Sequence, residues 1–314
     1  NANKVLQLSS VTPYAIANAL TATPAFSFTG DKDNGGIAVS HDGQYLYILD
    51  NGRQRMVIFS TAGTPTQQGS VLIPTPYYTP DLIGIAVSPD DNTVYVTDAT
   101  NKKLYVINVT NKAMPTISGD PISISAGAAG VAISPDSAYA YVGGSNTITK
   151  VTLADRLTSS YRINDLDAIS VAVSPDGTYV YTADANDGND VISINAQTGA
   201  ITRYTIPSDG YINPYTVALS PNGTTLYVTY FNRNTVGVFA AENIQAGVTQ
   251  TITLGSNFAQ PLGLSVAPDG TKLYVTSNYY SNAAVVDLQS TPSPTTTLTG
   301  TLGGFSYATA NFAG

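Results

Sequence analysis

Six in-phase copies of one phrase, a spacing of about 45 residues between copies, and a strand-and-turn composition predict an all-β fold, a seven-bladed β-propeller with four-stranded blades. The phrase reads GIAVSHDGQYLYILD from Gly36, GIAVSPDDNTVYVTD from Gly84 and GVAISPDSAYAYVGG from Gly130. It returns as SVAVSPDGTYVYTAD from Ser170, TVALSPNGTTLYVTY from Thr216 and GLSVAPDGTKLYVTS from Gly263. The residue before the turn falls at Ser40, Ser88, Ser134, Ser174, Ser220 and Ala267. A chain of 314 residues holds roughly seven units of that length. Glu242 is the only Glu among 21 acidic residues, while Asp, Asn, Gly, Pro, Ser, Thr, Tyr and Val dominate. That balance excludes a helical bundle and a doubly wound α/β fold.

Each repeat reads as four strands. Segments such as Ile85-Ala86-Val87 are small, apolar and without alternation, as expected of an innermost strand buried on both faces. Ser-Pro-Asp-Gly follows: proline presets φ, Asp bonds its own backbone and Gly takes the left-handed position. A second strand alternates, as in Leu226-Tyr227-Val228-Thr229, and a polar loop leads to a third, such as Leu104-Tyr105-Val106-Ile107. A Thr-rich rim strand, Thr249 to Leu254 in one copy, completes the blade. A loop rich in Pro and Gly then crosses to the next inner strand. One domain spans residues 1–314, with six complete repeats over about 36–300. The last blade is expected to close between the chain's ends. Phe305–Ala310 would supply its inner strand, and Val5–Leu8 with Ala25–Phe28 its outer ones, leaving no free edge. Residues 9–24 read either as a further strand near Tyr14–Ala17 or as a loop.

The phrases Leu-Tyr-Val-Thr-Ser-Asn at 273–278 and Val-Tyr-Val-Thr-Asp at 94–98 resemble the YVTN-type propeller repeat of prokaryotic surface-layer and periplasmic proteins. The resemblance covers residues 36–300. It implies a propeller at a cell surface or in the periplasm, and it does not fix a function, because one fold hosts many. Lactonase-like propellers share the architecture.

Composition narrows the chemistry. The absence of Cys removes disulfides, thiolate metal sites and Cys nucleophiles, and a single His, His41, removes a multi-histidine centre within one chain. A net charge of −8 argues against a nucleic-acid partner. No run of 18 apolar residues would span a bilayer. Charged residues are only 11 % of the chain. With no Cys and much Thr, Asn and Tyr, this fits an exported protein that is secreted, periplasmic or on the cell surface. A start at Asn1 is expected of a processed or cut chain.

Function is expected on the face where second-to-third strand loops and blade-to-blade loops surround the channel mouth. The second strand ends at Asp50, Asp98, Gly143, Asp184, Tyr230 and Ser277. Its three Asp residues read either as an acidic, cation-binding mouth or as caps of their own turns. Asp184, Asn186, Asp187 and Asp190 crowd oxygen ligands into one loop and form a candidate calcium site; Asp31-Lys32-Asp33-Asn34-Gly35 is half of such a loop. Arg53 and Arg233 fall in the same loop class. Tyr77, Tyr78, Tyr211, Tyr215, Tyr230, Tyr279 and Tyr280, with Phe231 and Phe258, offer rigid amphipathic area for protein or glycan recognition, or else cover blade junctions. Ser40, His41 and Asp42 are neighbours in a turn, which does not make a triad. Asn108-Val109-Thr110 and Asn222-Gly223-Thr224 are sequons. One His, one Glu and no Cys leave few groups for acid–base work. The leading expectation is therefore a monomeric, non-catalytic binding module. It would use Asp50, Arg53, Asp98, Asp184, Tyr230, Arg233, Tyr279 and Tyr280 toward a protein or carbohydrate. A lactonase-like hydrolase with an acidic or metal centre is the alternative, and a lectin-like binder the third reading.

Overall fold

The computed structural model describes residues 6–8, 16–19, 36–62, 65–74, 81–185, 188–208, 210–255, 258–279, 283–290 and 295–299. Strands β1 (Leu6–Leu8) and β2 (Ile16–Ala19) pair with each other. The first blade holds β3 (Ile37–Val39), β4 (Tyr45–Asp50), β5 (Arg55–Ser60) and β6 (Thr66–Leu72). The second holds β7 (Leu82–Val87), β8 (Thr93–Asp98), β9 (Lys103–Asn108), β10 (Thr116–Ile117) and β11 (Ile122–Ser123). In the third lie β12 (Val131–Ile133), β13 (Tyr139–Thr152), β14 (Thr158–Val173), β15 (Tyr179–Asp184), β16 (Asp190–Asn195) and β17 (Ile201–Thr205). The fourth is β18 (Pro214–Leu219), β19 (Thr225–Tyr230), β20 (Thr235–Ala240) and β21 (Val248–Thr253). The fifth is β22 (Pro261–Val266), β23 (Lys272–Ser277), β24 (Ala283–Asp287) and β25 (Thr295–Thr299).

The propeller thus has five blades among the described residues, of four, five, six, four and four strands, and not seven uniform ones. The six-stranded blade explains part of the difference, because it absorbs two sequence repeats. Segment 158–173 contains neither Pro nor Gly, and β14 runs through the rim of one repeat and the inner strand of the next, with 163–166 bulged out of register between them and Asp165 at φ 58°. Register shifts at Ala168/Val171 bend this strand. Tyr141 and Ile148 of one half then pack on Val180 and Ile192 of the other. In the second blade Gly119-Asp120-Pro121 splits the rim, so β10 and β11 both pair with β9. Proline has no N–H for the ladder there. Where the closing blade was expected, β1 pairs with β2, which overlaps the strand expected near Tyr14–Ala17. The strands expected at Phe305–Ala310 and Ala25–Phe28 lie outside the described residues.

The turn chemistry follows from its residues. Ser40, Ser88, Ser134 and Ser174 each donate a hydroxyl hydrogen bond to the Asp two positions on, at 2.5–2.6 Å. The same hydroxyls accept the N–H of the residue opening the next strand at 2.9 Å. Cores form between blades, where alternate second- and third-strand side chains face the neighbouring sheet; Tyr47, Tyr95, Tyr181 and Tyr227 are buried there. Burial raises the phenol of Tyr181, to about 12. Inner-strand residues Ile85 and Ala86 are half-buried, not buried on both faces. They line an axial cavity of about 200 Å³, together with Ala132, Val173 and Leu219. Prolines 89, 135, 175 and 221 and His41 line it at the Ser-Pro-Asp end. At the opposite end neighbouring inner strands approach closely enough for Gly36 N–H to reach Ile83 O at 2.9 Å and Gly130 N–H to reach Ile169 O at 2.8 Å.

Candidate ligand-binding site

The position that ends each second strand separates two kinds of blade. Asp50, Asp98 and Asp184 are 0–1 % exposed, and none of them lines the axial cavity. Asp98 accepts the N–H groups of Asp81 and Asn101 at 3.2 and 3.1 Å and the Asn101 amide at 2.7 Å. Asp184 accepts Asp167 N–H at 3.0 Å. Asp50 holds Arg53 at 3.3 Å and Arg55 at 3.0 Å. Asp98 and Asp184 therefore tie the end of the second strand to the chain entering the inner strand. Ser277 does the same with the opposite polarity, donating to Ala259 O at 2.6 Å. Asp98 also bonds its own turn through Asn101, whereas Asp50 makes no capping bond to the turn that follows it.

Tyr230 occupies this position in the fourth blade, and its neighbourhood differs. Its ring reaches across the sheet over Gly237, and its hydroxyl lies where a Cβ on residue 237 would stand. The positions equivalent to Gly237 on other third strands are Val57, Tyr105, Ile192 and Ala284, by their pairing with Ile48, Val96, Thr182 and Val275. The large residue on β19 is thus accommodated by the missing side chain on β20. Tyr230 is 4 % exposed, and its hydroxyl is buried with no hydrogen-bond partner. Desolvation, and secondarily Tyr204, push its phenol far above the ordinary value of 10, so it is a neutral group at any working pH.

Above this ring lies an open pocket of about 510 Å³ at the junction of the third and fourth blades. Its polar lining comes from Tyr204 on β17, Ser208, Tyr230, Arg233 and Thr251 on β21. Its apolar lining includes Ile206, Ile212 and Val248. Arg233 donates to Ser208 Oγ at 3.4 Å across the mouth. Tyr204 stands edge-on to Phe239, with ring centroids 5.9 Å apart. The flanking loops are joined by Phe231 N–H to Asn213 O at 2.9 Å and Asn232 N–H to Ile212 O at 3.0 Å. Tyr215 and Phe231 stack beside them at 5.4 Å, and Tyr211 is exposed.

The other expected residues are scattered. Arg53 stands in the first blade on Asp50, and Tyr279 is exposed on the fifth. Tyr280, Tyr77 and Tyr78 lie outside the described residues, as do Asn186, Asp187 and the 31–35 loop. Phe258 is core. Of the candidate calcium ligands, Asp190 turns away to Arg203, 2.9 Å distant, and to the Thr205 hydroxyl. Among the described residues no three His, Asp or Glu side chains group as a metal site. His41 Nδ1 pairs with Asp91 at 2.9 Å. The structure therefore brings together Tyr230 and Arg233, and adds Tyr204, Ser208 and Thr251, which the sequence reading passed over. The one available signal was Gly237, a glycine inside a third strand where the repeat carries a side chain.

No family model matches the chain, and no curated protein does. The resemblance to YVTN-type surface-layer repeats is therefore not supported, and the recurring phrase reports the turn and strand chemistry of a propeller blade. Solved structures do match. Hydrazine synthase of Kuenenia stuttgartiensis is similar at 21 % identity and a TM-score of 0.68, over 82 % of this chain and 78 % of that one. A protein of unknown function from Desulfotomaculum acetoxidans is similar at 18 % identity and a TM-score of 0.70, over 90 % and 89 % of the two chains. At such identities the likeness is one of fold, and the chain is a β-propeller of the architecture these proteins share.

Proposed function

We propose that this propeller is an exported, non-catalytic binding module that recognises a protein or carbohydrate partner through its loop face, at the junction of the third and fourth blades. The observation that carries this reading is the paired departure of Tyr230 and Gly237 from the repeat, beneath an open pocket lined by Arg233, with exposed Tyr211 next in the chain to the lining residue Ile212. Tyr and Arg are favoured where binding energy concentrates. Low charge and the abundance of Thr, Asn and Tyr support an extracytoplasmic location. Among the described residues no helix is long and apolar enough to cross a membrane. The aspartates first considered for a hydrolytic centre are engaged in holding loops, which favours binding over the lactonase-like alternative.

The test compares wild-type protein with a Tyr211→Ala, Arg233→Gln double variant on arrays of glycans and of purified cell-envelope proteins. Both substitutions are at residues with solvent-exposed side chains, so the fold should survive, as checked by circular dichroism. A ligand bound by the wild type and lost by the variant supports the reading. A ligand bound equally by both places recognition elsewhere and overturns it.

A further inference from the structure

The pocket has a chemistry that narrows the partner. Tyr204, Ser208 and Thr251 each bring a hydroxyl, Arg233 brings a fork of donors, and Ile206, Ile212 and Val248 supply apolar surface between them. A pyranose has the matching character: hydroxyls around its edge that both donate and accept, and C–H faces that pack on aromatic or aliphatic side chains. Hydroxyls on the protein suit such a ligand because each can rotate to serve as donor or acceptor. The volume, about 510 Å³, falls within the range of roughly 300–1,000 Å³ common to small-ligand sites.

A second observation points to an occupant. A buried hydroxyl without a partner forfeits its hydrogen bond with water and gains none in return. The Tyr230 hydroxyl is such a group; Tyr230 is part of the lining of this pocket, and a turn of its ring toward the mouth would open the hydroxyl to an occupant. Elsewhere in the same core the equivalent cost is avoided, since Tyr181 donates to Ala241 O at 2.9 Å. Tyr230 stands where three other repeats carry Asp, and Gly237 clears the space it occupies.

We infer that the pocket between the third and fourth blades is an oligosaccharide site, in which Tyr230 Oη and Arg233 hydrogen-bond sugar hydroxyls and the Tyr204 ring packs on a sugar face. This rests on the reading of the chain as a binding module and specifies its ligand.

The experiment titrates the protein by calorimetry with cellotetraose, chitotetraose, mannotetraose and tetragalacturonate. At least one should bind, and Tyr230→Phe and Arg233→Gln should each weaken that one about tenfold or more. Tyr230→Phe keeps the ring, so its fold is not at risk, and a melting curve at or above the wild type's verifies this. Binding that is indifferent to both substitutions overturns the inference. So does the absence of binding by all four sugars. If the sugars fail while a protein partner is lost on Tyr211→Ala, Arg233→Gln, the carbohydrate assignment falls and the binding module stands; if no partner of either kind is found, both fall.

Discussion

Tyr181 and Tyr230 lie in one buried cluster, are nearly inaccessible, and differ in one respect: the Tyr181 hydroxyl donates to Ala241 O at 2.9 Å, and the Tyr230 hydroxyl has no partner. The same substitution, Tyr to Phe, should therefore have opposite signs at the two sites. Removing the Tyr181 hydroxyl loses a net hydrogen bond and leaves a buried carbonyl short of a donor, a cost of about 1–2 kcal/mol. Removing the Tyr230 hydroxyl deletes a desolvated group that bonds nothing, and stability should rise by about 1 kcal/mol. The two variants should thus stand about 2–3 kcal/mol apart, a separation larger than the extrapolation error of chemical denaturation when m is shared. Urea unfolding followed by tyrosine fluorescence measures both midpoints, and m should be unchanged because neither substitution alters the surface exposed on unfolding. A loss at Tyr230→Phe equal to that at Tyr181→Phe would mean that the Tyr230 hydroxyl is satisfied within the fold, and the argument for an occupant would fail. Stability gained together with sugar affinity lost is the signature of a group kept for binding.

Three further outcomes follow from local geometry. A Cβ at Gly130 would stand 2.5 Å from Ile169 O and 2.9 Å from Ser170 Cα, backbone atoms that cannot swing aside. Gly130→Ala should cost about 2–3 kcal/mol in urea unfolding, whereas Gly210→Ala meets nothing within 4 Å and should be neutral; equal effects would refute the close approach of the inner strands. Ser137 holds φ at 58° at the turn position occupied by Gly in other repeats, so Ser137→Gly should stabilise by about 0.5–1 kcal/mol, and a destabilised variant contradicts this. Asp42, Asp90, Asp136 and Asp176 have carboxyls held below 3.8, chiefly by the hydroxyls of Ser40, Ser88, Ser134 and Ser174. Depressed folded values stabilise above the unfolded pKa, so this contribution is complete above about pH 5 and is lost as pH falls through the folded values. NMR titration of Ser174→Ala should show Asp176 rising toward 3.8, and an unmoved value would remove the hydroxyl as the cause.

Blade chemistry was legible in the sequence because it is local. Ser-Pro-Asp-Gly encodes a turn within six residues, and period-two alternation encodes which side chains of β4, β8, β15 and β19 enter a core. Ring architecture is a different matter. Whether two repeats form two blades or one depends on whether the chain between them breaks, and 158–173 remains strand, pairing with β13 over 158–162 and at Asp167 and with β15 from Ala168, with 163–166 bulged between. Counting repeats gives a number of units, not a number of sheets. Inner strands were misjudged for a related reason. An unalternating apolar run signals burial on both faces only where a neighbour covers each face, and around the axis Ile85 and Ala86 instead border a cavity.

The candidate site was half legible for the same physical reason. Tyr230 and Arg233 are visible as departures from a repeat, and departures are where consistency across levels is given up for function. Their partners Tyr204, Ser208 and Thr251 come from the rim of the third blade, a blade-to-blade loop and the rim of the fourth. No sequence spacing announces that convergence; it arises because two sheets pack face to face. The aspartates illustrate the converse. Asp50, Asp98 and Asp184 recur in register, which looks like a constellation in sequence, yet Asp50 pairs with Arg53, Asp98 with Asn101 and Asp184 with Asp167, each within its own repeat. Asp98 and Asp184 do the same local task, each accepting an N–H from the chain that enters its own inner strand. The position at which the task is abandoned, Tyr230 over Gly237, is where we propose that a ligand is recognised.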